Sequence, residues 1–407
     1  MVSTLSRITT LLFAAAVLLI GHGLQLTMLP LHALAAGWSS TAIGWTGSFY
    51  FIGFVTGCIV LPATVSRVGH IRSFMVMAAV ATVALLLAGL FVDVGLWLVF
   101  RFASGFALSG LYMVIESWLT DVTPNEQRGR VLSIYLFVTL LGMAVGQLLI
   151  SAGSPEDLRL FVIAAIMISI AIVPIGLTHV SSPHPIPGVR FTPRTLLRAS
   201  RVAVVSVILA GMVVGSFWAL GPVVARSYGL EQSAIGLLMS LGVVGGAVAQ
   251  IPIGRFSDSI DRRIVIAAVS LVGVAVCVLA FMIADASTTA LYAAFLLLGA
   301  VAMPLYALCI AHATDRTELM LIEVASGMLL AHSAGSIVGP IVVAPLMGSS
   351  RPGMFFLFSA VCLAISAIFT IYRYSVVERP LPHDASATLL PKTTQAIAEL
   401  ADRDLRL

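Results

Sequence analysis

Apolar residues run along this chain in stretches of about 20, each closed by glycine, proline or charge. The spacing predicts twelve helices, near 9–34, 41–63, 73–92, 95–119, 131–152, 158–178, 202–226, 231–253, 264–284, 288–311, 321–346 and 353–373. At 1.5 Å per residue such a helix matches the roughly 30 Å hydrocarbon core of a bilayer. The fold class expected is therefore an all-α polytopic membrane protein.

The segment LLFAAAVLLI (11–20), following Arg7, could pass for a secretory signal, but an internal repeat argues against it. Moved on by 192 positions, Gly23, Pro30, Ala33, Gly37, Ala42, Ile43, Gly44, Ser48 and Gly53 land on Gly215, Pro222, Ala225, Gly229, Ala234, Ile235, Gly236, Ser240 and Gly245. A shift of 194 places Gly105, Leu111, Tyr112, Thr120 and Asp121 on Gly299, Leu305, Tyr306, Thr314 and Asp315, and a shift of 193 places Ser133, Gly142 and Gly146 on Ser326, Gly335 and Gly339. The first helix has an internal counterpart in the seventh, so it is read as a permanent span. Two pseudo-symmetric six-helix bundles follow, 1–178 and 202–374, joined by a linker, 179–201, and followed by a polar tail, 375–407. Related halves of this kind are a construction of secondary transporters.

With the N-terminus inside, eighteen of the 22 Lys and Arg residues fall on the cytoplasmic side, three (Arg159, Arg226, Arg351) fall outside, and Arg101 lies within the fourth helix. The asymmetry predicts a multi-pass protein of the bacterial inner membrane with both termini cytoplasmic.

Composition agrees: 59% of residues are hydrophobic and 10% charged, where a soluble domain carries about 25% charged residues. The net charge of +4 gives no reason to expect a nucleic-acid partner. The four cysteines lie inside apolar runs without ligand spacing and read as packing thiols, with no metal site. Lys392, in the tail, is the one lysine, so the helical body cannot hold a nucleotide-binding loop of the form GxxxxGK[ST]. The GVVGG cluster (242–246) lies inside a predicted span, where small residues four apart allow close helix packing. No cofactor is expected, and solute must move passively or by coupling to an ion gradient.

GRFSDSIDRR (254–263) resembles the loop motif G-x-x-x-D-x-x-G-R-R of the major facilitator superfamily, with Gly254, Asp258, Arg262 and Arg263 matching and Asp261 in place of the second glycine. Its first-half copy, PATVSRVGHIR (62–72), is degenerate: Pro62 and Ser66 replace the glycine and aspartate. RFASGFALSG (101–110) resembles the superfamily's helix 4 motif at Arg101 and Gly105, and PNEQRGR (124–130) its loop between helices 4 and 5. GSIVGP (335–340) resembles the antiporter motif but falls on helix 11, whereas helix 5 reads GMAVGQ. ESW (116–118), RGR, PLY (304–306) and Asp315 are similar to the YcaD-like branch, which implies no substrate. The resemblance implies alternating access around a central cavity lined by helices 1, 4, 7 and 10.

Ionisable groups inside a bilayer are costly and by default suggest function. Arg101, Gly105, Ser109, Tyr112 and Glu116 share one helix face. Arg101 either lines the cavity or snorkels to the outer interface. Glu116 is a candidate for proton coupling or for a gate pair with the basic stretch Arg67 to Arg72. His22 and Gln25 share a face near the midplane, and His22 is the candidate proton or substrate ligand. His332 is a further proton candidate. Tyr112, Tyr306 and Trp218 are candidate cavity walls or plain packing.

The resemblance also implies that the loop aspartate faces a helix start in the opposite half. Asp258 is then expected to pair with Arg130 or Arg128, and Arg67 with Glu323, as cytoplasmic latches in a gate that includes Gly254, Arg262 and Arg263. The function expected is proton-coupled transport of a small organic solute by a protein working as a monomer and not as an enzyme. Efflux of amphipathic compounds is favoured over uptake of a small anionic metabolite, and a non-transporting sensor is the rival of another class. For the latches, single charge reversals at Asp258 or Arg130 are expected to lower transport severalfold, and the swapped double variant to restore it. Failure of the swap to rescue counts against direct pairing.

Overall fold

The computed structural model describes residues 2–124, 127–177, 196–197, 200–284, 287–317, 321–348 and 351–376. The expected linker and tail lie almost wholly outside the described residues. Among the described residues, twelve helices are long and apolar enough to cross a membrane. They are α1 (Ile8–Ala35), α2 (Ser40–Val68), α3 (His70–Leu90), α4 (Val94–Asp121), α5 (Arg130–Ala152), α6 (Leu158–Gly176), α7 (Arg201–Ser227), α8 (Gln232–Ser259), α9 (Arg262–Ile283), α10 (Thr288–Thr314), α11 (Glu323–Met347) and α12 (Met354–Val376).

Local chemistry sets where these helices begin and break. Asp93 caps α4 by accepting from the Leu96 N–H (2.9 Å), Ser200 caps α7 through the Ala203 N–H (3.1 Å), and Asp261 caps α9 through the Arg263 N–H (2.9 Å). Two helices predicted as unbroken are interrupted near prolines. α10 divides into Thr288–Ala302 and Pro304–Thr314, and α6 into Leu158–Ile170 and Ile172–Gly176, with Pro174 in the second piece. Proline has no N–H to continue the ladder. Conversely, α2 and α8 outrun their apolar stretches, so most of the two motif segments read as loops is helical. What separates α2 from α3 is Gly69 alone (φ 92°), and what separates α8 from α9 is Ile260 and Asp261.

The described helices cluster into two compact units. The first holds α1, α2 from Phe49 onward, and α3 to α6. The second holds Trp38–Ser48 and α7 to α12; within it Ser48 Oγ donates to the Ile337 carbonyl (2.7 Å).

Each unit is closed by the same backbone crossings, which is the three-dimensional form of the repeat. In the first, a methyl added to Gly105 would overlap the Tyr50 carbonyl, one added to Gly53 the Phe102 carbonyl, and one added to Gly146 the Ile20 carbonyl. In the second, the equivalent collisions are Gly299 with Gly242, Gly245 with Leu296, and Gly339 with Met212. Gly37 and Gly229, equivalent by the repeat, both follow a helix with φ 81°. That left-handed backbone favours glycine. Trp97 locks the α3 to α4 turn by donating Nε1–H to the Ala88 and Phe91 carbonyls (2.9 Å each).

Replacing Gly105 or Gly299 by valine is expected to cost about 3 kcal/mol or more, since backbone has to move. Gly176→Val, with nothing near the added side chain, is expected to be neutral. Thermal unfolding of the purified variants in detergent checks the contrast.

Candidate functional site

Within the first unit, α1, α2 and α4 bring a cluster of buried polar side chains together. His22 stands about 20 Å from either end of α1 by helical rise, with Gln25 one turn on. Gln25 Nε2 donates to Ser104 Oγ of α4 (2.8 Å), joining α1 to α4. The Tyr50 hydroxyl lies 3.4 Å from His22 Nε2, and the two rings stack at 5.9 Å. The Arg101 guanidinium stands over the other partner in this contact, 4.6 Å from the Tyr50 ring centroid. Arg101 is 8% exposed, so it turns into the bundle and does not reach a rim. Tyr112 meets His22 edge-on at 6.4 Å and packs against Phe54. His22 Nδ1, Gln25 Oε1 and Arg101 Nη1 are fully buried and have no hydrogen-bond partner. So are Thr27 Oγ1 of α1 and both amide atoms of Gln147 on α5. This many unmet polar atoms in one unit is unusual, because buried polar groups are normally paired.

Further along α4, Glu116 is fully buried and accepts from the Tyr135 hydroxyl of α5 (3.1 Å). Arg67 and Arg72 are exposed. Ser109 departs from the polar layer: its hydroxyl donates to the Phe106 carbonyl (2.8 Å) and it packs against Gly57. In the second unit Tyr306 is buried with its ring edge-on to His332 (5.1 Å), while Trp218 is half-buried against Phe217 (4.9 Å).

The charged junction of the second unit is a local network. Arg262 reaches Asp315 Oδ2 at the end of α10 (2.5 Å), Ser257 Oγ (2.8 Å) and Asp258 Oδ1 (3.3 Å). Arg263 is 1% exposed; it pairs with Asp261 Oδ2 (2.8 Å) and stacks over Tyr374 of α12 (4.8 Å). Gly254 is buried beneath. Asp261, the motif's departure from glycine, is thus the residue that caps α9 and neutralises a buried arginine. Burial pushes its carboxyl upward, but hydrogen bonds from the Arg263 side chain and backbone, together with that charge, hold it below the ordinary carboxylate range. At the equivalent place in the first unit, His70 Nε2 meets Ser117 Oγ (3.0 Å). Asp258 itself is 56% exposed, Arg130 exposed and Glu323 half-buried. The expected pairs Asp258 with Arg130 or Arg128 and Arg67 with Glu323 join residues of different units and remain a proposal; the Arg128 side chain lies outside the described residues.

Sequence reasoning missed Tyr50, Ser104, Gln147 and Tyr135. Tyr50 sits in the aromatic run SFYFIGF, which reads as packing, and its repeat counterpart is Gly242. Nothing in the sequence marks Tyr135 as the donor to Glu116.

The family model of the Major Facilitator Superfamily matches residues 11–205 and 203–402, and the chain belongs to that superfamily. It is 28% identical over 387 residues to the "Uncharacterized MFS-type transporter YcaD" of Escherichia coli O45:K1 (strain S88 / ExPEC), covering 94% of this chain and 100% of that one. Among solved structures, the nucleoside transporter NupG superposes with a TM-score of 0.73 at 14% identity, covering 91% of this chain and all of that one. A bacterial homologue of the human lysosomal transporter Spinster does so with a TM-score of 0.73 at 15% identity, covering 91% and 96%. The chain is a multi-pass membrane protein with a transporter fold.

Because the folded Asp261 carboxyl is held low, its stabilising charge is present at neutral pH and lost as pH falls below about 4. Asp261→Asn is expected to cost about 2 kcal/mol at pH 7. Melting curves from pH 7 to 3 should show the gap between wild type and variant closing at the acid end.

Proposed function

We propose that this protein is a secondary active transporter that moves a small organic solute across the bacterial inner membrane by alternating access, driven by the proton gradient. The observation that carries the reading is the polar layer of His22, Gln25, Tyr50, Ser104 and Arg101, buried between α1, α2 and α4 with unmet donors and acceptors. Polar side chains at that depth are retained where solute or ions pass. The superfamily membership supports the class. The polar character of the layer favours a small polar solute over the efflux of amphipathic compounds.

Proton coupling is assigned to Glu116. Glu116 is a fully buried carboxyl that accepts a hydrogen bond from the Tyr135 hydroxyl, and a carboxyl at that depth can exchange between acid and carboxylate as access alternates. His22 and His332 are the alternative carriers. The distribution of basic residues supports cytoplasmic termini.

The test is transport by proteoliposomes loaded with a bacterial metabolite extract, with and without an imposed pH gradient, read by mass spectrometry. At least one organic solute is expected to redistribute faster with the gradient. Glu116→Gln is expected to lose at least about tenfold of that acceleration while retaining exchange. If folded wild-type protein moves nothing, the transporter reading fails; if the gradient has no effect, proton coupling fails.

A further inference from the structure

Among the described residues, Arg101 is the Lys or Arg set furthest from an end of its span. No carboxylate among the described residues pairs with it, and Glu116, on the same helix, lies about 22 Å further along by helical rise. What the chain does supply is the Tyr50 ring beneath the guanidinium, while Nη1 is left buried without an acceptor. Desolvating a guanidinium costs more than one cation–π contact returns. An arginine at this depth is answered by an opposite charge, by backbone carbonyls or by water in a cavity, and an incoming carboxylate supplies the first of these.

We infer that Arg101 is the recognition point for the carboxylate of a small organic monoanion, which is the solute carried; this rests on the transporter reading above. Arg101 is the one cation in the described contacts of this layer, and one cation matches a single negative charge, which disfavours phosphate esters and dicarboxylates. The planar guanidinium presents parallel N–H donors to a carboxylate's two oxygens, and Nη1 is the donor still unfilled. The remainder of the solute meets groups of mixed character. Gln25 and His22, which also interact with each other, bring further hydrogen-bonding atoms to the same layer, and Tyr112 with Phe54 forms an aromatic edge beside them. Gln25 is held in place by Ser104, and Tyr50 orients both His22 and Arg101. The layer thus offers a carboxylate a cation and its remaining body polar and aromatic neighbours.

The experiment uses full-length protein in nanodiscs, melted in the presence of acetate, propionate or benzoate, each against its amide at matched ionic strength set with sodium sulfate. At least one carboxylate is expected to raise the melting midpoint saturably while its amide does not. Arg101→Gln is expected to weaken that response about 10- to 100-fold, the loss of a charged hydrogen-bond partner. If R101Q does not yield folded protein, Arg101→Lys is read instead, with an expected weakening of about tenfold from loss of the bidentate geometry. The inference is overturned if no carboxylate outperforms its amide on wild type, or if the readable variant responds as wild type does. Proteoliposomes separate the two failures. Vesicles that move no solute sink the transporter reading, whereas vesicles moving only neutral or cationic solutes, at rates unchanged in the Arg101 variant, sink the anion site alone.

Discussion

Helices in lipid gain nothing from hiding apolar side chains against one another, because the hydrocarbon around them is equally apolar. Their association rests on close packing and on a backbone that satisfies itself within each helix. In this chain that constraint is met at glycines. Gly53 and Gly105 let α2 and α4 touch backbone to backbone, Gly142 and Gly146 do so for α1 and α5, and Gly245, Gly299, Gly335 and Gly339 repeat the arrangement in the second unit. The carbonyl that Gly105 accommodates belongs to Tyr50, so the contact that closes α2 onto α4 also places the aromatic ring beneath Arg101. Packing and site are one construction.

Rigidity of this kind lets a few polar groups remain unmet. A loosely packed bundle would let Gln25, His22 or Arg101 rotate toward one another or toward a rim. Here the Ser104 and Tyr50 contacts hold them in one layer. The charged end of the second unit behaves in the opposite way. Nearly every charge there is answered: Arg262 by Asp315 and Asp258, Arg263 by Asp261 and Tyr374. A saturated network suits a structural joint between α8, α9, α10 and α12, and an unsaturated layer suits a place that something else completes.

Much of the architecture was legible in the residues. Twelve spans follow from apolar length, and the two halves from a repeat whose glycines turn out to be the crossing points. The helix motif around Arg101 and the midplane position of His22 and Gln25 singled out α4 and α1, which the structure joins through Gln25 and Ser104. Less legible was what each side chain touches. Ser109 shared the face of Arg101 by spacing, yet its hydroxyl is satisfied on its own helix. In the charged motif the sequence drew attention to Asp258, whereas most hydrogen bonds of the junction run through Asp261 and Arg262. A position that departs from a motif reads as a loss until its partner is seen.

By itself, then, the order of residues determined the number of spans, the duplication and the places where backbones approach, because these depend on periodicity and on the presence or absence of a side chain. Tertiary structure alone decided that Tyr50 stands between His22 and Arg101, that Tyr135 reaches Glu116, and that no carboxylate among the described residues pairs with Arg101. Those are relations between different helices, set by rotation and crossing rather than by spacing along one of them. Whether a buried charge is answered depends on what lies across the gap, and no single helix carries that information.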